Sequence, residues 1–328
     1  MKAREWSYWT RNKLQILEDY LPAFNRAGSS VSQRIYIDLM SGQPDNVERH
    51  TKVKFDGSPK IALRADPGFT VLRFGEIGRK ADLLQTALAE EFPGDDRYRV
   101  VKGDCNVTID DTLADLRDIR WAPTFAFLDQ QGAEIRWATI EKLAQFRRNN
   151  RNLKVEQWIL MSPSMINREV RKSESYRLRV TQLYGTSEWL HIQEALWQRQ
   201  ITASQYRAEM VNLMRHRLQN SLGYKFTQRI PMKMSTNKME IFDMVFATDH
   251  EVGDKIMRHL YNEAAKREPE MMRRAKIAKE EKEQEDQGIS GLFSTADLPG
   301  ARSGASGSIL WEPTPVWDPA SRPWWPSG

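Results

Sequence analysis

Apolar positions recur along the chain with two different spacings. Near the amino terminus Leu14, Leu17, Tyr20 and Leu21 follow a helical period, which predicts an amphipathic leading helix within residues 1–30. Short apolar runs come next, separated by segments of helical periodicity. The runs that we predict as buried strands are 34–40, 69–74, 98–101, 124–128 and 158–161. Such alternation is typical of right-handed βαβ units, so residues 31–175 are predicted to form a doubly wound, Rossmann-like α/β core.

The second half of the chain has a different pattern. Residues 176–223 show helical periodicity without strands, which predicts a helical insertion with two amphipathic helices between residues 187 and 222. Two strand-like runs, 224–234 and 240–247, are separated by polar residues and predict a terminal antiparallel hairpin. We expect this hairpin and the helix after it, within residues 224–265, to close the core. Residues 266–286 are predicted to form a charged helix.

Two segments leave their role open. Basic residues between 266 and 282 could track phosphates along one helix face, or belong to a solvated helix. Residues 287–328 accumulate Gly, Ser, Pro and Ala and are predicted to be disordered. Four tryptophans stand in this Pro-rich tail: Trp311, Trp317, Trp324 and Trp325. They either dock onto their own domain or serve as a peptide ligand for another protein.

Composition narrows the class of protein. The chain has 328 residues, 40% of them apolar, and a net charge of +5, which permits but does not require a polyanionic partner. No apolar run approaches the roughly 20 residues that cross a bilayer, so we expect no membrane partner. Nothing resembles a signal peptide, so we expect a cytoplasmic location. The single cysteine, Cys105, excludes an internal disulfide and a cysteine-rich zinc cluster.

Ligands of doubly wound sheets bind at the carboxyl ends of the strands, so polar residues at these ends are candidate site residues. The first predicted strand contains Asp38 and is followed by Ser41 and Gly42, small residues that let a nucleoside approach the backbone; an ordinary turn is the alternative. The second strand is followed by Glu76, whose carboxylate can accept hydrogen bonds from both ribose hydroxyls, or lie solvated. These residues predict a nucleoside pocket.

The third and fourth predicted strands also end in acidic residues. Asp104 and Cys105 follow the third strand; the cysteine is either a nucleophile without an identifiable base or a small buried hydrophobe. Asp129 and Gln130 follow the fourth strand, where a transferred group would meet its acceptor. We predict both as catalytic residues, because Asp129 can orient or deprotonate an amine or hydroxyl and Gln130 can assist this orientation.

Asp249 and His250 are the one obvious acid–histidine neighbour pair in the sequence. They stand at a predicted strand-to-helix junction. Thr248 or Asp249 as the N-cap of the helix accounts for these residues there without a catalytic or metal-binding role. No second histidine lies at ligand spacing, so we expect no metal site.

A set of motifs spans most of residues 5–265. In chain order they are Trp9-Thr10, Lys13-Leu14, Tyr36-Ile37-Asp38 with Ser41-Gly42, Gly57-Ser58-Pro59, Gly103-Asp104-Cys105-Asn106, Phe127-Leu128-Asp129 with Gly132 and Trp137, Asn167-Arg168, and Phe246-Ala247-Thr248-Asp249-His250. Together they resemble the three-Cys-motif partner (TcmP) proteins, a bacterial and phage family with a class I methyltransferase-like fold.

The resemblance implies that the nucleoside pocket takes S-adenosylmethionine, with Asp104 near the adenine amino group. The residues expected to bind this cofactor are Asp38, Ser41, Gly42, Glu76, Asp104 and Cys105. It also implies a partner, a protein whose three-cysteine motif resembles that of radical S-adenosylmethionine enzymes. The sequence departs from the family pattern at 129–132, Asp-Gln-Gln-Gly in place of Asp-Pro-Phe-Gly, and at 39–42, which lacks Phe-Ala-Gly.

The sequence is compatible with two functions. One is methyl transfer to nucleic acid, DNA or RNA, or to a substrate bound by the partner. The other is a non-catalytic partner or scaffold subunit that keeps the methyltransferase fold and binds protein or nucleic acid.

Overall fold

The computed structural model describes residues 4–148, 151–233 and 240–286, and the tail at 287–328 lies outside these residues. Its strands are β1 (Arg4–Trp6), β2 (Ile35–Asp38), β3 (Asp45–Glu48), β4 (Lys54–Asp56), β5 (Val71–Glu76), β6 (Tyr98–Lys102), β7 (Thr124–Leu128), β8 (Glu156–Met161), β9 (Phe226–Lys233) and β10 (Glu240–Thr248). Its α-helices are α1 (Tyr8–Ala27), α2 (Ser58–Arg64), α3 (Gly78–Glu91), α4 (Cys105–Asp115), α5 (Trp137–Phe146), α6 (Pro163–Val170), α7 (Glu174–Tyr184), α8 (Trp189–Trp197), α9 (Ala203–Asn220) and α10 (Glu251–Asp286).

Seven strands form the main sheet, in the order β6-β5-β2-β7-β8-β10-β9. The first five in this order are parallel to their neighbours, whereas β10 runs antiparallel to both β8 and β9. The predicted doubly wound sheet with a terminal antiparallel hairpin is therefore confirmed. From β2 the chain moves outward to β6 and then returns to β7, so the strand order reverses between β2 and β7. Doubly wound sheets open a crevice at this point.

The main sheet separates two apolar layers. In β7, Phe125 and Phe127 point into one layer and Ala126 and Leu128 into the other, as the period of two requires. The first layer contains the buried faces of α1, α2, α3 and α10. The second contains those of α4 to α9. Because both faces are covered, the central strands read as continuous apolar runs rather than alternating ones.

The predicted helical insertion contains α7, α8 and α9. The last two are the helices that the periodicity of residues 187–222 predicts. Helix α7 was not predicted; it begins at a Ser173 cap and ends at Gly185, whose φ of +61° stops the helix. Trp189 and Tyr206 are fully buried on α8 and α9, so the insertion adds to the second apolar layer.

A small second sheet, in the order β1-β3-β4, was not predicted from the sequence. Strand β1 pairs in parallel with β3, and β3 pairs antiparallel with β4. This sheet places two strands, β3 and β4, between β2 and α2, so the turn after β2 does not lead directly into a helix. Its strands are three or four residues long, too short for a period of two to be recognised.

The predicted closing helix and charged helix are one continuous element, α10. Met257 and Tyr261 bury its first part against the main sheet, and Met272 packs farther along against Tyr8 of α1. The basic residues near its end pair with glutamates of the same helix: Arg273 and Arg274 with Glu270, Lys276 with Glu280, and Lys279 with Glu283. This is the pairing of a solvated helix surface. Within the described ranges, no helix combines the length and apolar character that crossing a membrane requires.

The attachment of α10 to the sheet can be tested at one hydrogen bond. The indole N–H of Trp158 donates to the hydroxyl of Tyr261 over 2.7 Å, and both residues are fully buried. We expect Tyr261→Phe to lower the free energy of unfolding by about 1–3 kcal/mol, because the indole donor loses this acceptor away from water. Guanidinium denaturation measures this, with Tyr98→Phe on the edge strand β6 as the control. Equal losses in both variants would contradict the expectation.

Candidate functional site

A cavity of about 670 Å³ lies at the carboxyl ends of the parallel strands, and we refer to it as the strand-end cavity. The loops after β2, β5, β6 and β7 form one side, and the beginning of α1 forms another. Six sequence-predicted site residues line it: Ser41, Gly42, Glu76, Asp104, Cys105 and Asp129. The other two, Asp38 and Gln130, are fully buried behind its wall.

Glu76 ties the loop after β2 to the end of β5. One oxygen of its carboxylate accepts a hydrogen bond from the backbone N–H of Gly42 over 2.9 Å, and the other accepts from Ile77 over 2.8 Å. Ser41 strengthens the connection by donating its backbone N–H to Gly75. Gly42 has a φ of +67°, a conformation that glycine adopts without strain. A carboxylate and an open backbone turn thus face the same part of the strand-end cavity.

Asp38, buried behind the wall of the strand-end cavity, also holds the loop after β2. Its carboxylate accepts hydrogen bonds from the Ser58 hydroxyl over 2.6 Å and from the backbone N–H of Met40 over 3.2 Å. Complete burial raises the pKa of Asp38 to about 7, although both hydrogen bonds favour the ionised form. Asp38 therefore acts on the strand-end cavity through the loop that it holds and through the first turn of α2.

Asp104 is the N-cap of α4, where its side chain accepts from the backbone N–H of Asn106 over 2.8 Å. Asn106 in turn accepts hydrogen bonds from the Arg136 backbone and the Thr139 hydroxyl, which joins this loop to the start of α5. Burial, assisted by the negative charge of Asp104, raises the pKa of Cys105 to about 12. The thiol is therefore protonated at neutral pH, which favours its role as a small buried hydrophobe over that of a nucleophile.

Asp129 forms an ion pair with Lys13 of α1. The ammonium lies 2.5 Å from each oxygen of the carboxylate, and the two side chains are 8% and 25% exposed. Lys13 was singled out in the sequence only as part of a motif. A second signal was available, because Lys13 stands three residues after buried Thr10 and four before buried Leu17, on the apolar stripe of α1.

Gln130 holds the loop that carries Asp129. Its side-chain N–H donates to the carbonyl of Leu160, and its side-chain oxygen accepts from the backbone N–H groups of Glu134 and Ile135. Because this amide is fully buried and uses both of its ends, it does not reach the strand-end cavity. It fixes the course of the chain from Asp129 to the start of α5.

The strand-end cavity, which Asp129 lines, also has an apolar wall that was not predicted from the sequence. Trp9 and Leu14 of α1 lie opposite Phe242 of β10, and the rings of Trp9 and Phe242 are 6.3 Å apart at 47°. Met232 of β9 is the registered cross-strand neighbour of Phe242, and Leu160 of β8 completes the wall. These residues are distant in sequence, so only the folded sheet brings them together.

The Asp249–His250 pair lies outside the strand-end cavity. Asp249 accepts from the backbone N–H groups of Lys154 and Lys225, and His250 donates its backbone N–H to the Thr248 hydroxyl. Across the residues that the structure describes, no group of three or more His, Cys, Asp or Glu side chains is placed to hold a metal ion.

The strand order, the single reversed strand β10 and the position of the cavity at the β2–β7 reversal together define a class I methyltransferase-like fold. The sequence matches no family model and no curated protein.

Solved structures with detectable similarity include a proposed caffeoyl-CoA O-methyltransferase from Staphylococcus aureus, with 9% identity and a TM-score of 0.36 over 71% of this chain and 82% of that one. They also include protein LPL1258 of the DUF519 family from Legionella pneumophila, with 10% identity and a TM-score of 0.42 over 76% of this chain and 91% of that one.

The buried carboxyl of Asp38 has a measurable consequence for stability. Its folded-state pKa of about 7 exceeds the usual 3.8, so the native protein keeps a proton that the unfolded chain releases between these values. The free energy of unfolding therefore falls as the pH rises through this window and levels off above it. Between pH 5 and pH 8 we expect the free energy of unfolding to fall by roughly 3 kcal/mol less in Asp38→Asn than in the parent protein.

Urea denaturation of the parent protein and of Asp38→Asn at both pH values measures the effect. Subtracting the result for one protein from that for the other cancels the contribution of the titratable groups that both contain. Asp82→Asn on the exposed face of α3 serves as the control. Parallel slopes for the parent and Asp38→Asn would show that Asp38 is ionised throughout this range.

Proposed function

We propose that this chain is an S-adenosylmethionine-dependent methyltransferase-like protein that acts on nucleic acid, DNA or RNA, or on a substrate held by a partner protein. The observation that carries the proposal is the Glu76 carboxylate beside the Gly42 turn, in a cavity that Asp104 and Asp129 also line. These side chains come from the ends of four adjacent parallel strands.

The residues of the strand-end cavity fit such a cofactor. Glu76 is positioned to accept hydrogen bonds from ribose hydroxyls, and the open turn at Gly42 leaves room for close approach to the backbone. Ile77, 55% exposed, offers an apolar surface to the adenine, and Asp104 offers an acceptor for its amino group. Asp38, Ser41 and Cys105 shape the loops that carry these contacts.

Asp129 and Gln130 are the proposed catalytic pair, with different roles. Bound S-adenosylmethionine supplies an electrophilic methyl group. Asp129 accepts a hydrogen bond from the N–H or O–H of the acceptor, and this bond orients the lone pair of the acceptor atom toward the methyl group. Asp129 then receives the proton of the acceptor when the new bond forms. Lys13 holds Asp129 in place until an acceptor arrives. Gln130 acts as a positioning residue through the loop that it fixes.

A non-catalytic partner or scaffold subunit is the second candidate. The Lys13 ammonium lies against both oxygens of Asp129, and an acceptor would have to displace it. A subunit that retains the pocket for binding alone would keep this pair closed.

The chain is further proposed to be a TcmP protein that works with a three-Cys-motif, radical S-adenosylmethionine-like protein. Support comes from the distribution of the motif residues, many of which line the strand-end cavity although they are scattered in the sequence. These are Trp9, Thr10, Lys13, Leu14, Ser41, Gly42, Gly57, Ser58, Asp104, Cys105, Asn106 and Asp129.

Calorimetry with S-adenosylmethionine and S-adenosylhomocysteine tests the cofactor proposal. We expect both to bind, and Glu76→Gln to weaken them by about tenfold to a hundredfold, because hydrogen bonds to a charged acceptor contribute roughly 1.5–3 kcal/mol. Asp82→Asn is the matched control, since its carboxylate pairs with Lys102 and does not line the strand-end cavity. Absence of binding by the parent protein would refute the proposal.

Co-purification tests the partner. We expect a three-Cys-motif protein to be recovered with this chain when the two are expressed in the same cells. Removal of residues 300–328 then tests the Trp-rich tail as its ligand, because loss of recovery assigns the contact to these residues. Equal recovery with and without them would rule out the tail as the docking peptide.

A further inference from the structure

The strand-end cavity has a second half that the residues assigned to the cofactor do not use. Its walls are apolar and come from α1 and from β8, β9 and β10. We call this half the acceptor slot, defined by Trp9, Leu14, Leu160, Met232 and Phe242. Lys13 and Asp129 lie beside it and are its adjoining charged groups.

The walls of the acceptor slot suit a flat ring. Leu14, Leu160 and Met232 are buried, whereas the aromatic residues Trp9 and Phe242 are partly exposed to the slot. Partly exposed aromatic rings bind planar heterocycles by stacking, independently of base identity. A charged or strongly hydrated acceptor would lose its hydration against these walls without replacement.

The charged groups beside the slot match the edge of such a ring. Lys13 presents hydrogen-bond donors directly next to the acceptor oxygens of Asp129. Adenine and cytosine carry the complementary pattern along one edge, where an exocyclic amine donor stands next to a ring nitrogen acceptor. A base that enters the slot can therefore exchange the ion pair for one bond to each partner.

Arginines stand at two sides of the strand-end cavity. Arg49 follows β3 on the side of α1, while Arg136 precedes α5 and Arg179 lies on α7, on the other side of the main sheet. All three are exposed, and among the described residues none of them forms an ion pair. The nearby carboxylates of Asp104 and Glu134 instead accept hydrogen bonds from backbone N–H groups.

We propose that the strand-end cavity binds a single-stranded nucleic acid that crosses the carboxyl edge of the main sheet. One unstacked base enters the acceptor slot, and flanking phosphates pair with Arg49 on one side and with Arg136 and Arg179 on the other. This inference rests on the proposed function and specifies its substrate. A duplex does not fit, because a paired base is stacked and does not reach a recessed slot without being extruded.

Fluorescence anisotropy with a short fluorescein-labelled oligonucleotide tests the proposal on the full chain. Single-stranded DNA, single-stranded RNA of the same sequence and the DNA duplex form three arms, each at several salt concentrations. We expect one or both single strands to bind more tightly than the duplex, and the sugar preference tells DNA from RNA. Trp9→Ala should weaken single-strand binding about tenfold, the size of one lost stacking contact.

Arg49→Ala tests the phosphate contacts. It should weaken binding and lower the slope of log affinity against log salt by about 0.7, as expected for one phosphate contact on a single strand. Trp197→Ala and Arg148→Ala are the matched controls, since both residues are partly or fully exposed but do not line the strand-end cavity. Circular dichroism and S-adenosylmethionine calorimetry on each variant verify that the fold and the cofactor half are intact.

The outcomes separate this inference from the proposed function. Cofactor binding without oligonucleotide binding at low salt overturns the inference alone, whereas oligonucleotide binding without cofactor binding overturns the proposed function alone. Equal affinity for duplex and single strand overturns the acceptor slot as a base site. So does equal weakening by Trp9→Ala and Trp197→Ala.

Discussion

The ion pair between Lys13 and Asp129 holds together the two parts of the molecule that enclose the strand-end cavity. Asp129 directly follows β7, the strand that adjoins the reversal point, and Lys13 belongs to the first helix. The Tyr20 hydroxyl of α1 also donates to Glu156 of β8, whereas the apolar packing between α1 and the sheet is not directional and would by itself leave a helix free to slide. A partly buried pair fixes both the depth and the rotation of the helix, because separating the charges leaves an unpaired charge in a poorly hydrated place.

The loops at the other strand ends are also held by polar side chains, which accept hydrogen bonds from backbone N–H groups. Asp38, Glu76, Asp104 and Gln130 each accept a hydrogen bond from at least one backbone N–H of the loop or helix that follows. Strand ends leave backbone donors without a ladder partner, and a carboxylate or amide at that position satisfies them. The same side chains therefore shape the cavity and stabilise its rim, and the acidic residues at strand ends are explained in part by loop structure.

The fold was readable from the sequence because its strongest signals are local. The runs at 124–128 and 158–161 are apolar and buried, and they lie in strands β7 and β8, while the two runs of the hairpin correspond to β9 and β10. The small sheet escaped prediction because its three strands are short and polar and pair only after the chain has folded. Helix α7 lies within the predicted helical insertion but was not predicted as a separate helix, although its buried positions Tyr176, Val180 and Leu183 follow the helical period.

The site was less predictable than the fold, for a physical reason. Strand ends converge in any parallel sheet, so placing Glu76, Asp104 and Asp129 near one another followed from topology. Topology does not tell which of these side chains faces the cavity, and Asp38 and Gln130 proved to be buried behind it. The lysine that meets Asp129 is 116 residues away in sequence, and a contact of that separation leaves no local pattern.

Helix α10 has a consequence for how the chain is laid out in space. It begins after β10, at the edge of the main sheet opposite the strand-end cavity, and its 36 residues span about 54 Å at 1.5 Å per residue. Its later turns pack on Tyr8 at the start of α1, beside the cavity. The helix thus runs from the edge of the main sheet opposite the strand-end cavity back to the edge where the cavity opens. The carboxyl end of α10 therefore lies on the cavity side of the molecule.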